Sequence, residues 1–367
     1  MNPASLQLTV VIPTFNEVSN VSVMIDRLTH TLQGIEWEII FVDDDSQDGT
    51  FQKLQTIAAC NCRVRVLRRV GRRGLSSACI EGLLASAAPY LAVMDADLQH
   101  DENCLPAMFQ AVHAQGFDMA VGSRYVEGGS TGEWSQQRVS VSKWATLLSQ
   151  KILKIQLQDP MSGFFMMRRA VLEDSVYRLS SLGFKILVDL VVSSPKPLRI
   201  KEIPFHFGLR VAGESKLDTR VAWDYLMLLA DKTIGRYIPA KLISFASVGA
   251  MGVGVHLMVL GMGKTLFALP FMYAQGAAVL VSMVFNFYLN NLLTYRDQQL
   301  QGRAWVWGLL KFMFACSLGG AANVGVANYL YGNDGLWVLS GLMGILVGLI
   351  WNFGVTSILV WPQRSAQ

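Results

Sequence analysis

Val93-Met94-Asp95-Ala96-Asp97-Leu98-Gln99-His100 is the stretch on which the reading of the fold turns. An apolar run over 90–94 ends here, and two carboxylates and an amide follow at alternate positions. Side chains at i and i+2 of an extended chain share one face, so Asp95, Asp97 and Gln99 can converge on one hard cation. Oxygen-only ligands suit Mg²⁺ or Mn²⁺, which in such sites also hold a substrate's phosphates. The same residues are also suited to capping the helix that follows, because acidic turns before helices are common. Taken alone, the motif leaves both readings open.

The surrounding sequence says what kind of sheet this run joins. Residues 8–12, 38–42, 64–67, 90–94 and 119–121 are short runs rich in Val, Ile and Leu, and amphipathic stretches such as 18–32 and 74–87 lie between them. Strands separated by helical patterns predict βαβ units, a mostly parallel sheet and right-handed crossovers. Such sheets bind ligands outside the carboxyl ends of their strands. Pro13-Thr14-Phe15-Asn16-Glu17 follows the first run, Asp43-Asp44-Asp45-Ser46 the second, Asp95-Ala96-Asp97 the fourth and Gly122-Ser123-Arg124 the fifth. Four polar clusters on one edge make a candidate site. The aromatic and carboxylate of the first can stack on a base and bond a ribose or ring N–H, and Asp48-Gly49 supplies turn chemistry beside it. No G-x-G-x-x-G follows the first strand and no Walker A sequence is present, which argues against a dinucleotide site and an ATPase.

Composition divides the chain. It is 52% hydrophobic and 16% charged over 367 residues, and the charges concentrate in roughly the first 235 residues, whereas from Leu242 onward the chain is rich in Gly, Ala, Val, Leu and Met. Four apolar segments, about 242–262, 268–289, 309–330 and 336–361, are each near the roughly 20 residues that span a bilayer. Lys232, Arg236 and Lys241 precede the first, Arg296 and Arg303 lie in the second connection, and Arg364 is near the end. The opposite connections offer Lys264 and, in Tyr331-Gly332-Asn333-Asp334-Gly335, no cation. The positive-inside rule then predicts a multi-pass membrane protein with both termini and the charged half on the cytoplasmic face. The expected domains are 1–217, a linker with an interfacial helix at 218–240, and a membrane domain at 241–367.

The segments 139–157 and 220–238 are amphipathic and carry Lys143, Trp144, Lys151, Trp223, Tyr225 and Tyr237, which suits either a bilayer surface or packing on the sheet. The net charge of +4 is too diffuse to argue for nucleic acid and fits an anionic lipid surface better. Five cysteines without paired spacing make no disulfide framework, and Cys60-Asn61-Cys62 lacks a second metal pair. No basic signal region opens the sequence. A weak internal repeat sets Lys241 and Ser247-Val248-Gly249 against Lys311 and Ser317-Leu318-Gly319, and Phe285-Asn286-Phe287 against Trp351-Asn352-Phe353. The intramembrane Asn286, Asn323 and Asn352 need partners, either neighbouring helices or a polar path for a headgroup.

The ordered set V-I-P-T-F-N-E, V-D-D-D-S-Q-D-G-T, G-L-S-S-A, M-D-A-D-L-Q-H, G-S-R-Y, D-P-M-S-G-F-F and F-G-L-R-V-A-G-E-S-K-L resembles the family 2 glycosyltransferases, in particular polyprenyl-phosphate (dolichol-phosphate) mannose and glucose synthases. The resemblance covers about residues 7–218, and the last 125 or so resemble a GtrA-like four-helix transmembrane domain. It implies an α/β GT-A fold followed by an all-α membrane domain, a divalent metal, Mg²⁺ or Mn²⁺, and an inverting transfer.

By the same resemblance, Asp95, Asp97 and Gln99 hold the metal on the donor diphosphate, with Ala96 lying between them in the donor site. Pro13, Phe15, Glu17, Asp43 and Asp44 bind the nucleoside. The family commonly has Tyr where this chain has Phe15, so stacking survives and a hydroxyl contact is lost. Arg124, Arg138, Arg210 and Lys216 surround the acceptor phosphate and the donor diphosphate, and Asp97, Arg124 and Arg138 carry the catalysis. Two anions brought together require several cations, and the arginine fork matches phosphate oxygens. An acceptor phosphate is already ionised at neutral pH, so no general base is required. One displacement converts an α-linked donor into a β-linked product.

Bland readings remain: Arg138 as a helix cap, His100 as either a support for the metal turn or a turn residue, and Arg68, Arg69, Arg72 and Arg73 as a solvated or lipid-facing surface. The expected substrates are a nucleotide sugar, GDP-mannose before UDP-glucose, and polyprenyl or dolichyl phosphate at the bilayer. The alternatives are the UDP-glucose enzyme and a flippase of lipid-linked sugar with an accessory soluble half. A processive polysaccharide synthase is disfavoured because Gln136-Gln137-Arg138-Val139 supplies no Q-x-x-R-W.

Overall fold

A computed structural model describes residues 6–132, 136–153, 155–180, 185–208, 219–235, 238–332 and 337–362. The chain forms two compact units, Met1–Ile234 and Gly235–Gln367.

The first unit is a seven-stranded sheet in the order β3-β2-β1-β4-β6-β5-β7. Its strands are β1 (Leu8–Thr14), β2 (Trp37–Asp43), β3 (Val64–Arg68), β4 (Tyr90–Val93), β5 (Met119–Ser123), β6 (Phe165–Arg168) and β7 (Ile200–Pro204). Helices α1 (Val21–Thr31), α2 (Thr50–Cys60), α3 (Leu75–Leu84), α4 (Leu105–His113), α5 (Gln136–Leu153), α6 (Arg169–Ser175), α7 (Ile186–Ser193) and α8 (Thr219–Ile234) surround it. Strands β1 to β4 are mutually parallel, and β5 pairs parallel with β7. Strand β6 runs antiparallel to both β4 and β5, which makes the sheet mixed. The five expected strands are present within about two residues of their expected ends, whereas β6 and β7 were not foreseen. β6 is four residues long and β7 alternates charges with isoleucines, so neither stands out as an apolar run.

Strands β1 and β2 are buried at every position, as a parallel strand covered on both faces must be. Val10 and Ile12 face one core with Met24 and Leu28, while Val11 faces another with Leu83 and Leu91. The period of two thus divides one apolar run between two layers. Helix α3 lies flush on the sheet at Gly82, where a Cβ would come within 2.4 Å of Val11 Cγ1.

Helices α5 and α8 pack inward as well as outward. Tyr225 is buried, donates to the Ala145 carbonyl at 2.8 Å and bonds the Ser149 hydroxyl. Lys232 reaches the fully buried Asp189 at 2.5 Å. Tyr225 is therefore a packing residue, in contrast to Trp144, which is 68% exposed.

The second unit contains α9 (Ala240–Thr265), α10 (Phe271–Leu289), α11 (Arg303–Gly332) and α12 (Trp337–Leu359). Helix α10 runs on into a π-helical turn at Asn290–Thr294. Among the described residues, Ala240–Thr265, Phe271–Thr294 and Arg303–Leu330 are long and apolar enough to cross a membrane, and Met343–Leu359 is a shorter apolar stretch. The two asparagines of the expected repeat each meet a glycine of the preceding helix, although Gly249, set against Gly319 in that repeat, has nothing within 4 Å. A Cβ on Gly252 would lie 2.1 Å from Asn286 Oδ1, and one on Gly319 would lie 1.9 Å from Asn352 Oδ1. Asn290 Nδ2 donates to the Asn286 carbonyl at 2.9 Å, and Thr356 Oγ1 donates to the Asn352 carbonyl at 2.6 Å. Each asparagine thus fills a notch that only glycine leaves open, the small-residue packing of membrane helices.

Candidate active site

Parallel strands deliver the ends of β1, β2, β3, β4, β5 and β7 to one edge of the sheet, together with the start of the antiparallel β6. Among the described residues only four non-glycine residues adopt a left-handed backbone, and three of them, Asn16, Asp45 and Leu98, lie in the turns leaving β1, β2 and β4. Strain of this kind concentrates at functional sites.

The β1 and β2 turns are laced together. Asp43, fully buried, accepts from Ser46 N at 3.0 Å, Ser46 Oγ at 2.5 Å and Thr14 Oγ1 at 3.3 Å. It is a strut between the strands. Asn16 N donates to Ser46 Oγ at 2.9 Å, and Asn16 Oδ1 accepts from Gln47 N at 3.0 Å. Glu17 N donates to Thr50 Oγ1, and the Glu17 carboxylate accepts from Asn20 Nδ2 at 2.7 Å. Pro13 lies within β1, and the Arg73 guanidinium sits 4.3 Å over the Phe15 ring.

Arg69 departs from the surface role expected of it. Its side chain is 2% exposed, and its Nη1 bonds Asp44 Oδ1 at 2.6 Å and the Gly74 carbonyl at 3.0 Å. Nη2 donates to Ser77 Oγ at 2.6 Å, and Glu81 Oε1 lies 3.3 Å from Nε. Gly74 N donates to the other Asp44 oxygen at 2.8 Å. Burial pushes the Asp44 carboxyl up, while the Gly74 N–H and the Arg69 charge oppose that shift. Arg69 directly follows β3, so the strand-end rule that flagged the acidic clusters would have found it.

The D-x-D segment is a turn and not an extended strand. Leu98 has φ +62°, so Asp95, Asp97 and Gln99 do not share a face by simple alternation. Local bonds tie Asp97 and Gln99 together. Gln99 N donates to Asp97 Oδ1 at 3.2 Å, and Gln99 Nε2 donates to the Gly208 carbonyl at 2.9 Å, which turns its Oε1 end away from Gly208. Gly208 N returns a bond to the Gln99 carbonyl at 2.8 Å. Ala96 is buried in the core and anchors the turn. Burial drives the Asp95 carboxyl upward, His100 opposes this and the neighbouring Asp97 adds to it. A Cβ on Gly163 would lie 3.2 Å from Asp95 Oδ2, close enough to press on that carboxylate.

Two carboxylates and an amide oxygen fit a hard cation such as Mg²⁺ or Mn²⁺. Among the described residues no group of three or more His, Cys, Asp or Glu could hold a metal. A cation here would complete its coordination with the oxygens of a substrate.

Arg124 is buried and bidentate on Asp159, with Nε and Nη2 each 2.7 Å from a carboxylate oxygen. Asp159, itself fully buried, also accepts from Arg124 N at 3.0 Å. Its own N–H donates to Glu202 Oε1. The guanidinium is therefore fixed in place by a partner 35 residues away, which no local pattern announces. Arg138 lies on α5, while Arg210 and Lys216 fall outside the described residues.

Comparisons with known proteins identify the family. A family model described as glycosyl transferase family 2 matches residues 9–176, and one described as the GtrA/DPMS transmembrane domain matches 244–361. The dolichol-phosphate mannosyltransferase of Pyrococcus furiosus is 34% identical over 368 residues, covering 96% of this chain and 98% of that protein. The Saccharomyces cerevisiae protein of the same name is 35% identical over 250 residues, covering 66% of this chain and 92% of its own. Among solved structures, glucosyl-3-phosphoglycerate synthase from Mycobacterium tuberculosis is 18% identical and matches 63% of this chain and 81% of its own at a TM-score of 0.48. The chain belongs to the family 2 glycosyltransferases, in the group that carries a GtrA/DPMS transmembrane domain and whose curated relatives are named dolichol-phosphate mannosyltransferases.

Proposed function

We propose that this protein transfers mannose from GDP-mannose to a polyprenyl phosphate, with inversion, giving a β-linked polyprenyl phosphate mannose and GDP. The observation that carries the reading is a D-x-D turn at the β4 edge in a chain aligned over 96% of its length with a dolichol-phosphate mannosyltransferase.

The residues divide the work. Phe15 offers a ring for the base, and the Asp44 carboxylate, fixed by Arg69 and Gly74, offers acceptors for its N–H groups. Glu17 stands beside them for the ribose. Asp95, Asp97 and Gln99 would hold Mg²⁺ or Mn²⁺, and the bound cation would neutralise charge on the departing nucleotide diphosphate. Arg124 supplies a cation whose place Asp159 fixes, and Arg138, Arg210 and Lys216 supply the others toward the two phosphates. Catalysis is then positioning and charge stabilisation, with the ionised lipid phosphate as its own nucleophile. The positive loops support an orientation with the catalytic unit and both termini on the cytoplasmic face.

The test is a donor comparison with the full chain in detergent, polyprenyl phosphate and Mg²⁺ or Mn²⁺. Labelled lipid from GDP-mannose and none from UDP-glucose is expected. Label from UDP-glucose alone would replace the mannose reading with a glucosyl one.

A further inference from the structure

We propose that His100 is the positioning residue of the D-x-D turn, holding the Asp95 main chain where its carboxylate can reach a divalent cation. The inference rests on the metal reading above. Asp95 N–H donates to His100 Nδ1 at 3.2 Å. Nδ1 therefore offers its lone pair, and the ring proton sits on Nε2. Nε2 lies 3.7 Å from Asp95 Oδ2, roughly 0.7 Å beyond a hydrogen bond. The ring thus takes the Asp95 main-chain N–H, and its other nitrogen lies near the carboxylate without a hydrogen bond to it. A Cβ on Gly163 would press on the same carboxylate at 3.2 Å.

The ring has almost no freedom of its own. His100 is 3% exposed. It stacks on Phe164 at 5.1 Å and 11°, and meets Phe205 and Phe207 edge-on at 5.7 and 5.9 Å. A pocket of three phenylalanines is filled most cheaply by a fourth apolar ring, because burying an imidazole costs polar desolvation unless its nitrogens find partners. Nδ1 here has the Asp95 N–H as its partner. Groups that orient a metal's carboxylate ligand in this way typically account for about 10–100-fold in metal affinity.

The test measures Mn²⁺ binding by electron paramagnetic resonance on the full chain in detergent, with and without GDP, for wild type, D97A, H100F, H100N and H100Q. H100F keeps the packed ring and loses the acceptor. H100N keeps an acceptor near the Nδ1 position, whereas the longer H100Q amide reaches the Nε2 position and does not restore it. The expected result is Mn²⁺ affinity reduced about 10–100-fold in H100F and H100Q, with H100N closer to wild type. Wild-type affinity in H100F, with binding lost in D97A, would leave His100 a packing residue and overturn the proposal. If H100F does not fold, equal affinity in H100N and H100Q overturns it instead. No Mn²⁺ binding by wild type would remove the metal reading itself, and this inference with it.

Discussion

Replacing Arg69 with Met separates the two accounts of the basic run after β3. A surface arginine would be lost at almost no cost, since exposed ion pairs contribute about 0–1 kcal/mol. The Arg69 side chain is 2% exposed and its Asp44 partner 11%, with 2.6 Å between Nη1 and Oδ1. For charge centres about 4 Å apart at an effective dielectric of about 20, the attraction is about 4 kcal/mol. Breaking a buried pair from one side costs about 3–5 kcal/mol, because the remaining charge is left without compensation. For a unit of this size each kcal/mol moves the melting temperature by about 2–4 °C, so R69M should melt about 6–20 °C lower.

The assay is thermal unfolding of the full chain in detergent, followed through the first unit, with initial rates against GDP-mannose. Because Asp44 is also assigned to the base, KM for the donor should rise in R69M. The double variant D44N/R69M should recover part of the lost stability, since it removes the orphaned charge. A melting point within about 2 °C of wild type for R69M would refute the reasoning, as would strict additivity of D44N and R69M.

Two further outcomes are expected. Gly252→Ala and Gly319→Ala each drive a Cβ into an asparagine oxygen and should destabilise the membrane unit by about 1–3 kcal/mol. Gly254→Ala, with nothing within 4 Å, should leave it unchanged, and detergent melting curves distinguish the three. For Asp48, burial alone would raise the carboxyl, but bonds from Thr50 Oγ1, Val18 N and Thr50 N outweigh it and hold the carboxyl below its usual range. A depressed carboxyl stabilises above its unfolded pKa, about 3.9, and that stability is lost as pH falls through the folded value. D48N should therefore flatten the acid side of the stability profile, and an unchanged acid limb would contradict the assignment.

The parallel half of the sheet was legible because β1 and β2 are buried on both faces and must be apolar throughout. The site edge followed from it, since each polar cluster sits directly after a strand. What could not be read depends on distance in the chain or on backbone strain. Asp159 holds Arg124 across 35 residues, and Leu98 converts an extended motif into a turn. Arg69 was misplaced because four arginines in six positions look like a solvated face. Its place directly after β3 and its burial against Asp44, in the turn after the neighbouring β2, tell it apart.

The most direct test of the account is transfer of labelled mannose from GDP-mannose to polyprenyl phosphate by the purified full chain with Mn²⁺, comparing wild type with Asp97→Ala. The account predicts a labelled lipid from wild type and none from a folded Asp97→Ala protein. Equal label from both, or none from wild type, would contradict it.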